Sequence, residues 1–422
     1  MNRWRCARGA GVAVVVGLLL AACAEGGVRN QSGGSGLPFG SARDQYREAF
    51  ADIDPVTVNL QSSSAKGALS GRKFEQYAAA IADWSNGKVT FDIAYSNAAA
   101  PPQEVDNALV DGRLDLGSPL PLYEPAEFPA SDAFVRSMVL GRQSPIAGLL
   151  QVQGWISQVG YETDEIVQEF ESKGMHMLLP AFSAGSTALL CQDQPQGSSN
   201  SIRGSQVGIT STAQLQQIKD LGGTPISVVY PEIFESLQRG VIDCTTSILG
   251  AAVLGGFVSE APHVVIDNEV GFGIGPGTLA MSLPVWNSLP LVAQQLFFDR
   301  LDVFLEANFQ ATWENIAEAG RVAQSSGGQF VEFGDDSRNS LAETNKETLN
   351  RLRESTALGD GQVFVESAVA ASDRWGAEVD RLGYLDEVAY GEFGDWYKKD
   401  SIDLKPYFRK LFGDVLLKYR PA

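Results

Sequence analysis

A chain of 422 residues with 51 acids against 32 bases carries a net charge of −19, which argues against nucleic acid or an anionic membrane surface as its partner. The same acidity works against drawing small anions in by long-range steering, although a local basic pocket can still hold one. With 44% apolar residues and no internal segment apolar enough to cross a bilayer, its length suits a soluble body with two cores.

Arg3, Arg5 and Arg8 lead into an apolar run, Gly9 to Leu20, that is too short to span a membrane as a helix. The run ends in Leu20-Ala21-Ala22-Cys23, which resembles a bacterial lipobox. Residues 1–22 are therefore read as a lipoprotein signal peptide and Cys23 as the lipidated residue. That places the protein on the outer side of the cell membrane, in the periplasm or cell envelope, held by a lipid anchor. Loss of the signal removes three arginines and no acid, taking the charge from −19 to −22. Residues 23–45, with Gly26-Gly27 and Ser32 to Gly36, have the composition of an anchor followed by a flexible linker. Of four cysteines, Cys6 leaves with the signal and Cys23 is acylated. Cys191 and Cys244 remain, an even pair outside the cell, and are expected to form a disulfide. With only His176 and His263 to join them, and no ligand spacing, no metal site or cofactor is expected.

Val56-Thr57-Val58-Asn59-Leu60 reads as a short strand. Phe74, Tyr77, Ala78 and Ile81 mark one face of the following helix, closed by Trp84 and Asn86-Gly87. Val89 to Ile93 alternates as a second strand, Pro102 opens a helix, and a third strand includes Leu114. That βαβαβ order predicts a mainly parallel sheet. In the second half Thr212 caps a helix carrying Leu215, Ile218 and Leu221, ended by Gly222-Gly223, and Ile226, Val228 and Tyr230 form the next strand. Beyond Pro290 an apolar pattern runs through Leu296, Leu301, Phe304, Trp313 and Ile316 to Gly320 without a breaker. It predicts one unusually long helix crossing both halves. Residues after about Asp335 read as acidic helices, ending in an apolar stripe of Tyr407, Phe408, Leu411 and Phe412 expected to pack inward.

Two stretches nearly repeat. Leu109-Val110-Asp111-Gly112-Arg113-Leu114-Asp115 and Leu237-Gln238-Arg239-Gly240-Val241-Ile242-Asp243 each read as a helix end, a glycine just past it, then an apolar residue and an Asp entering a strand. Pro102 precedes the first copy and Pro231 the second. Two similar units imply two α/β lobes, and a cleft between lobes is where small ligands bind.

Catalysis finds little support. The glycines from Gly271 to Gly277 do not have dinucleotide spacing, and Phe182 to Thr187 is only superficially like a nucleophile elbow. His176, in a probable strand, and His263, after Pro262, read as structural histidines. A secreted hydrolase would need a nucleophile, base and orienter that the sequence does not offer.

The same residues carry a family resemblance. Trp84 to Phe91 resembles the "TGGRVKI" joint of TRAP-transporter solute-binding proteins of the DctP type. Asp111 to Asp115 matches their "GxxD" element, and Pro125 to Phe134 their "P…LPF" stretch. Leu221 to Pro225 is similar to "LGATP", Glu232 to Asp243 to "EVYxALQxGVVDG", and Trp286 to Pro290 to "WxxLP". The resemblance covers roughly residues 55 to 330, and the last ninety or so extend beyond it. It implies a two-lobed, periplasmic-binding-protein-like (Venus flytrap) α/β fold with a long lobe-spanning helix and an added helical C-terminal extension. On that basis 46–183 form the first lobe, with 271–312 returning to it. Residues 184–270 form the second, with 313–422 as long helix and extension. Such a protein closes on its ligand and hands it to one small and one large membrane subunit.

Departures from the family pattern bear on the ligand. Members usually grip a carboxylate with an Arg in the "GLKxRVP" strand, a position that falls on Gly208 here, while Arg203 stands on the preceding turn. A second basic position falls near Ser186 or Thr187, an Asn becomes Ser247, Gly275-Pro276-Gly277 replaces a polar group, and Leu120, near Ser118, stands where some members carry a Glu. These changes remove charge or bulk. They predict a roomier and more neutral cleft for an apolar ligand, such as an acyl lipid, over a small carboxylate held by the displaced Arg203. Tyr230 is expected as an aromatic wall, and Asn59, Gln61 and Ser62 as polar contacts. A lipid-binding chaperone serving no importer is the remaining alternative.

Overall fold

The computed structural model describes residues 36–193, 197–198, 202–385 and 388–422. The expected signal peptide, Cys23 and the glycine-rich part of the linker lie outside the described residues. Alternating β-branched and aromatic residues give β1 (Val56–Gln61) and β2 (Val89–Ala94), which pair in parallel. With β3 (Leu116–Gly117), β4 (Met175–Phe182) and β10 (Gly277–Ser282) they form a sheet in the order β2-β1-β3-β10-β4. The second sheet contains β5 (Thr187–Cys191), β6 (Gln206–Ile209), β7 (Thr224–Ser227), β8 (Cys244–Ile248), β9 (His263–Val265) and β11 (Gln329–Val331). Its order is β11-β9-β5-β8-β6-β7.

The two sheets share one plan. In the first, β1 lies between β2 and β3, parallel to both, and β10 runs antiparallel to β3. In the second, β6 lies between β7 and β8, parallel to both, and β5 runs antiparallel to β8. The sequence near-repeat sets the joint in each lobe. Gly112 and Gly240 hold φ of +82° and +68°, the left-handed turn that ends each helix. Asp115 then donates its N–H to Asn59 O (2.8 Å) and accepts the Asn59 N–H on its carboxylate (2.8 Å). Asp243 repeats the pairing with Gln206, at 2.8 and 2.7 Å. Asp115 thus fixes the register of β3 against β1, and Asp243 that of β8 against β6.

Cys191 and Cys244 face each other across β5 and β8 and form the expected disulfide, with Cα atoms 4.1 Å apart. His176 stacks on Trp286 with centroids 3.9 Å apart, and burial pushes its imidazole down to about 4, so it is a neutral packing group.

Four local expectations are corrected. The long helix is two, Leu291–Asp299 and Leu301–Ser325, because Arg300 leaves helical geometry (φ −89°, ψ 8°) and lays its guanidinium 3.9 Å from the Trp84 ring centre. The helix Thr212–Asp220 has Ser211 at its N-cap position, where the Gln214 side chain accepts the Ser211 N–H (3.3 Å), and Thr212 is its first residue, donating to Asp132 instead. Tyr230 is not in a strand: β7 stops at Ser227, and Pro231 turns Tyr230–Glu232 into a single 3-10 turn. Residues 36–45 of the segment read as linker are docked, with Leu37 N–H on Gln295 (2.7 Å) and a helix beginning at Arg43.

The C-terminal helices serve both lobes rather than the second alone. Arg338 in the helix Asp335–Arg353 pairs with buried Asp267 (2.7 Å), and Gln217 of the second-lobe helix donates to Asn345 (2.6 Å). The helix Gly361–Arg381 packs on Ala147–Glu162 so closely that a Cβ on Gly154 would sit 2.2 Å from the Trp375 ring. Tyr407, Phe408, Leu411 and Phe412 are all buried, and Tyr407 donates to Leu150 O (2.9 Å).

Candidate ligand-binding cleft

Three connections cross between the sheets: residues 183–186, residues 266–276, and the helix Leu301–Ser325 leading to β11. The cavity they border is open to solvent on one side, and its empty space, open solvent included, amounts to about 1210 Å³. It lies beyond the C-terminal ends of β1, β3, β6 and β8, where open parallel sheets bind ligands. The first lobe contributes Gln61, Ser118, Leu120 and Tyr123, and the second Thr187, Thr210, Tyr230 and Ser247. Asn308, Ala311, Thr312 and Asn315, along one face of the long helix, form the back wall.

Two tyrosines join the lobes across this space. Asn97 Nδ2 donates to the Tyr230 hydroxyl (2.9 Å), and the Tyr230 N–H donates to the Tyr123 hydroxyl (3.3 Å). Burial pushes both hydroxyls above their usual pKa range, so both stay protonated. Gln61, at the end of β1, is spent locally: it accepts the N–H groups of Ala99 and Ala100 and donates to Ala100 O.

Among the residues lining the cavity, Lys73 alone carries a formal charge. Its ammonium donates to Asn308 Oδ1 (3.2 Å) and lies 4.9 Å from the Phe182 ring centre and 5.6 Å from that of Phe74. Desolvation lowers its pKa to about 8. Two turns along, Asn315 carries a buried carbonyl oxygen with no partner among the described residues.

Of the ten expected contact residues, Gln61, Ser118, Leu120, Thr187, Tyr230 and Ser247 come together around the cavity. Asn59, Ser62, Arg203 and Gly208 do not. Asn59 is exposed and its backbone serves the Asp115 joint, while Ser62 is buried against Ser64. Arg203 is exposed on the turn before β6 and does not reach the lining. Gly208 lies inside the sheet, where a Cβ would meet Ile242 (2.9 Å) and Thr245 (3.0 Å). Lys73, Asn308, Thr312 and Asn315 were not singled out from the sequence. A signal for Lys73 existed, since it falls in the 73, 77, 81 stripe with buried Tyr77 and Ile81.

Two α/β lobes of one plan, crossed by three connections and enclosing a cavity walled by both, define a two-lobed solute-binding protein. The model of the family "Bacterial extracellular solute-binding protein, family 7" (DctP) matches residues 61–355, and the chain belongs to that family. Its members bind solutes and are not enzymes. Solved structures agree on the fold. A marine metagenome TRAP solute-binding protein specific for aromatic acid ligands, from an unidentified microbe and in complex with metahydroxyphenylacetate, is 16% identical with a TM-score of 0.65, over 76% of this chain and 99% of that one. The periplasmic ectoine-binding protein of a TRAP transporter of Halomonas elongata is 14% identical with a TM-score of 0.65, over 76% and 100%. A TRAP periplasmic solute-binding protein of Bordetella bronchiseptica with bound mandelate is 19% identical with a TM-score of 0.64, over 78% and 100%. Among the described residues no helix is long and apolar enough to cross a membrane.

Proposed function

We propose that this protein captures a small organic solute with a largely apolar body in the interlobe cleft and delivers it to the small and large membrane subunits of a TRAP transporter. A lipid on Cys23 tethers it to the outer face of the cell membrane. The observation that carries this reading is the composition of the cavity. Leu120, Leu122, Phe74, Phe182, Ile248 and Leu254 supply apolar wall from both lobes, with a single charged side chain among the lining residues. Small ligands with an apolar face, metahydroxyphenylacetate and mandelate, are named for two structures of the same fold. An acyl chain is the second reading, favoured by the same aliphatic wall. Arg203 no longer supports a carboxylate grip, because it is exposed away from the cavity.

Native mass spectrometry of the protein purified from its own host tests the proposal. The expected result is one organic molecule per chain, identified after denaturation. A chain that carries none, and gains no thermal stability from a small-molecule extract of that host, contradicts it.

A further inference from the structure

We propose that Lys73 is the specificity-determining contact of this cleft and that it selects an organic monoanion, one carboxylate on an apolar body. The inference rests on the solute-binding reading above and adds the charge of the ligand to it.

The argument begins with a count of charges. An ammonium packed near two aromatic rings and only partly exposed has lost part of its hydration, which is costly unless an anion meets it. No acidic side chain lines the cavity, and among the described residues none lies within ion-pair distance of Lys73. Its neighbour Arg72 does have a carboxylate, Glu314, at 3.0 Å, so that acid of the long helix is already committed. Asn308 supplies only a neutral amide oxygen to Lys73, and its own amide donates to Ser183 O (2.7 Å), which holds it in that orientation. One of the three ammonium donors is thus used by protein. A bound carboxylate takes the others and supplies the missing charge.

Charge number then sets selectivity. One cation faces a cavity otherwise lined by neutral groups, so a monoanion leaves the closed cleft neutral. A dianion buries a second charge without a partner, and a neutral amide leaves the ammonium unpaired. The rings of Phe74 and Phe182 bracket the ammonium, so the ligand carbon next to the carboxylate meets apolar surface. Asn315 lies seven residues from Asn308 on the same helix, about 10 Å along its axis at 1.5 Å per residue. Its unpartnered carbonyl gives a hydrogen-bond donor on the far end of the ligand a place to land.

The test is a titration panel on the full chain after ligand removal. The probes are straight-chain carboxylates from acetate to decanoate, benzoate, phenylacetate and mandelate, the amide of each, and the dicarboxylates from succinate to sebacate. Parent, Lys73→Met and Lys73→Arg are compared by thermal shift and calorimetry. The parent is expected to bind at least one monocarboxylate roughly thirtyfold or more tighter than its amide and than the dicarboxylate of equal length, the scale of a buried charge pair losing one member. Lys73→Met should lose that affinity by a similar factor and melt higher than the parent without ligand, because a desolvated ammonium has been removed. Lys73→Arg should retain part of the affinity. Equal binding of acid and amide, undiminished binding by Lys73→Met, tighter binding of dicarboxylates, or no bound monocarboxylate at all would each overturn the inference. The host-purified molecule separates the two readings. A neutral compound lost from Gly275→Trp leaves the solute-binding role standing and removes the Lys73 assignment. A compound retained by Gly275→Trp removes the cleft itself.

Discussion

Gly275→Trp is expected to abolish solute binding, weakening it by roughly a hundredfold or more, while the protein still folds. Gly275 lines the cavity, and a Cβ built there meets only Leu122, at 3.9 Å. Its φ is not in the left-handed region, so a side chain is tolerated by the backbone. An indole there occupies the space between the lobes that the solute needs, and displacing a bound ligand of this size forfeits most of its buried area. Gly275→Ala adds one methyl to open space and should bind like the parent. Gly277, two residues on, is the contrasting control. A Cβ there would lie 2.2 Å from the Phe182 ring, so Gly277→Ala should destabilise the protein by about 1–3 kcal/mol through overpacking. Calorimetric titration with the host-derived ligand and thermal melts of the three variants separate a blocked site from a damaged fold. Parent-like affinity in Gly275→Trp would place the solute elsewhere.

Arg420→Met is expected to cost about 3–5 kcal/mol of stability, although it lies two residues from the end of the chain. Asp299 has only 2% of its side chain exposed and takes Arg420 Nε on one oxygen (2.7 Å) and Nη2 on the other (3.0 Å). The Tyr46 hydroxyl also donates to that carboxylate (2.6 Å), and burial next to the carboxylate pushes its pKa far above the ordinary range. The triad ties the first helix, the kink before the long helix and the C-terminus together. Removing the guanidinium strands a buried carboxylate, which is the expensive half of the change. Asp299→Leu combined with Arg420→Met and Tyr46→Phe removes all the polar partners at once and should recover most of the loss. Chemical denaturation of the single and triple variants checks this. A loss below about 1 kcal/mol for Arg420→Met would show that the pair is solvated in solution.

Much of the fold was legible from local chemistry, and the limits of that reading have physical reasons. The Gly112 and Gly240 joints and their Asp partners are short-range signals, so the two-lobe plan is legible in the sequence itself. The kink at Arg300 was not, because neither Pro nor Gly marks it. Its neighbour Asp299 is held by Arg420, 121 residues away, and Arg300 itself stacks on Trp84. The site divided in the same way. Gln61 is legible because it ends the first strand, and Ser118 and Ser247 because they fall at or near positions where the resembling family carries polar residues. Gly208 was carried over from the family's Arg position, but here the space beside it is filled by Thr245 and Ile242 from the neighbouring segment, which matching positions alone do not reveal. Lys73 was overlooked although it shares a helical stripe with Tyr77 and Ile81, and it alters the expected neutral cleft to one with a single positive charge.

Hydrogen–deuterium exchange with and without the host-derived solute tests most directly whether both lobes hold it. The account predicts added protection in the segment 118–123 of the first lobe, in 247–254 of the second and in 308–315 of the long helix together, since each lines the same cavity. Protection confined to one lobe, or absent from these segments while the solute remains bound, would contradict capture in the interlobe cleft.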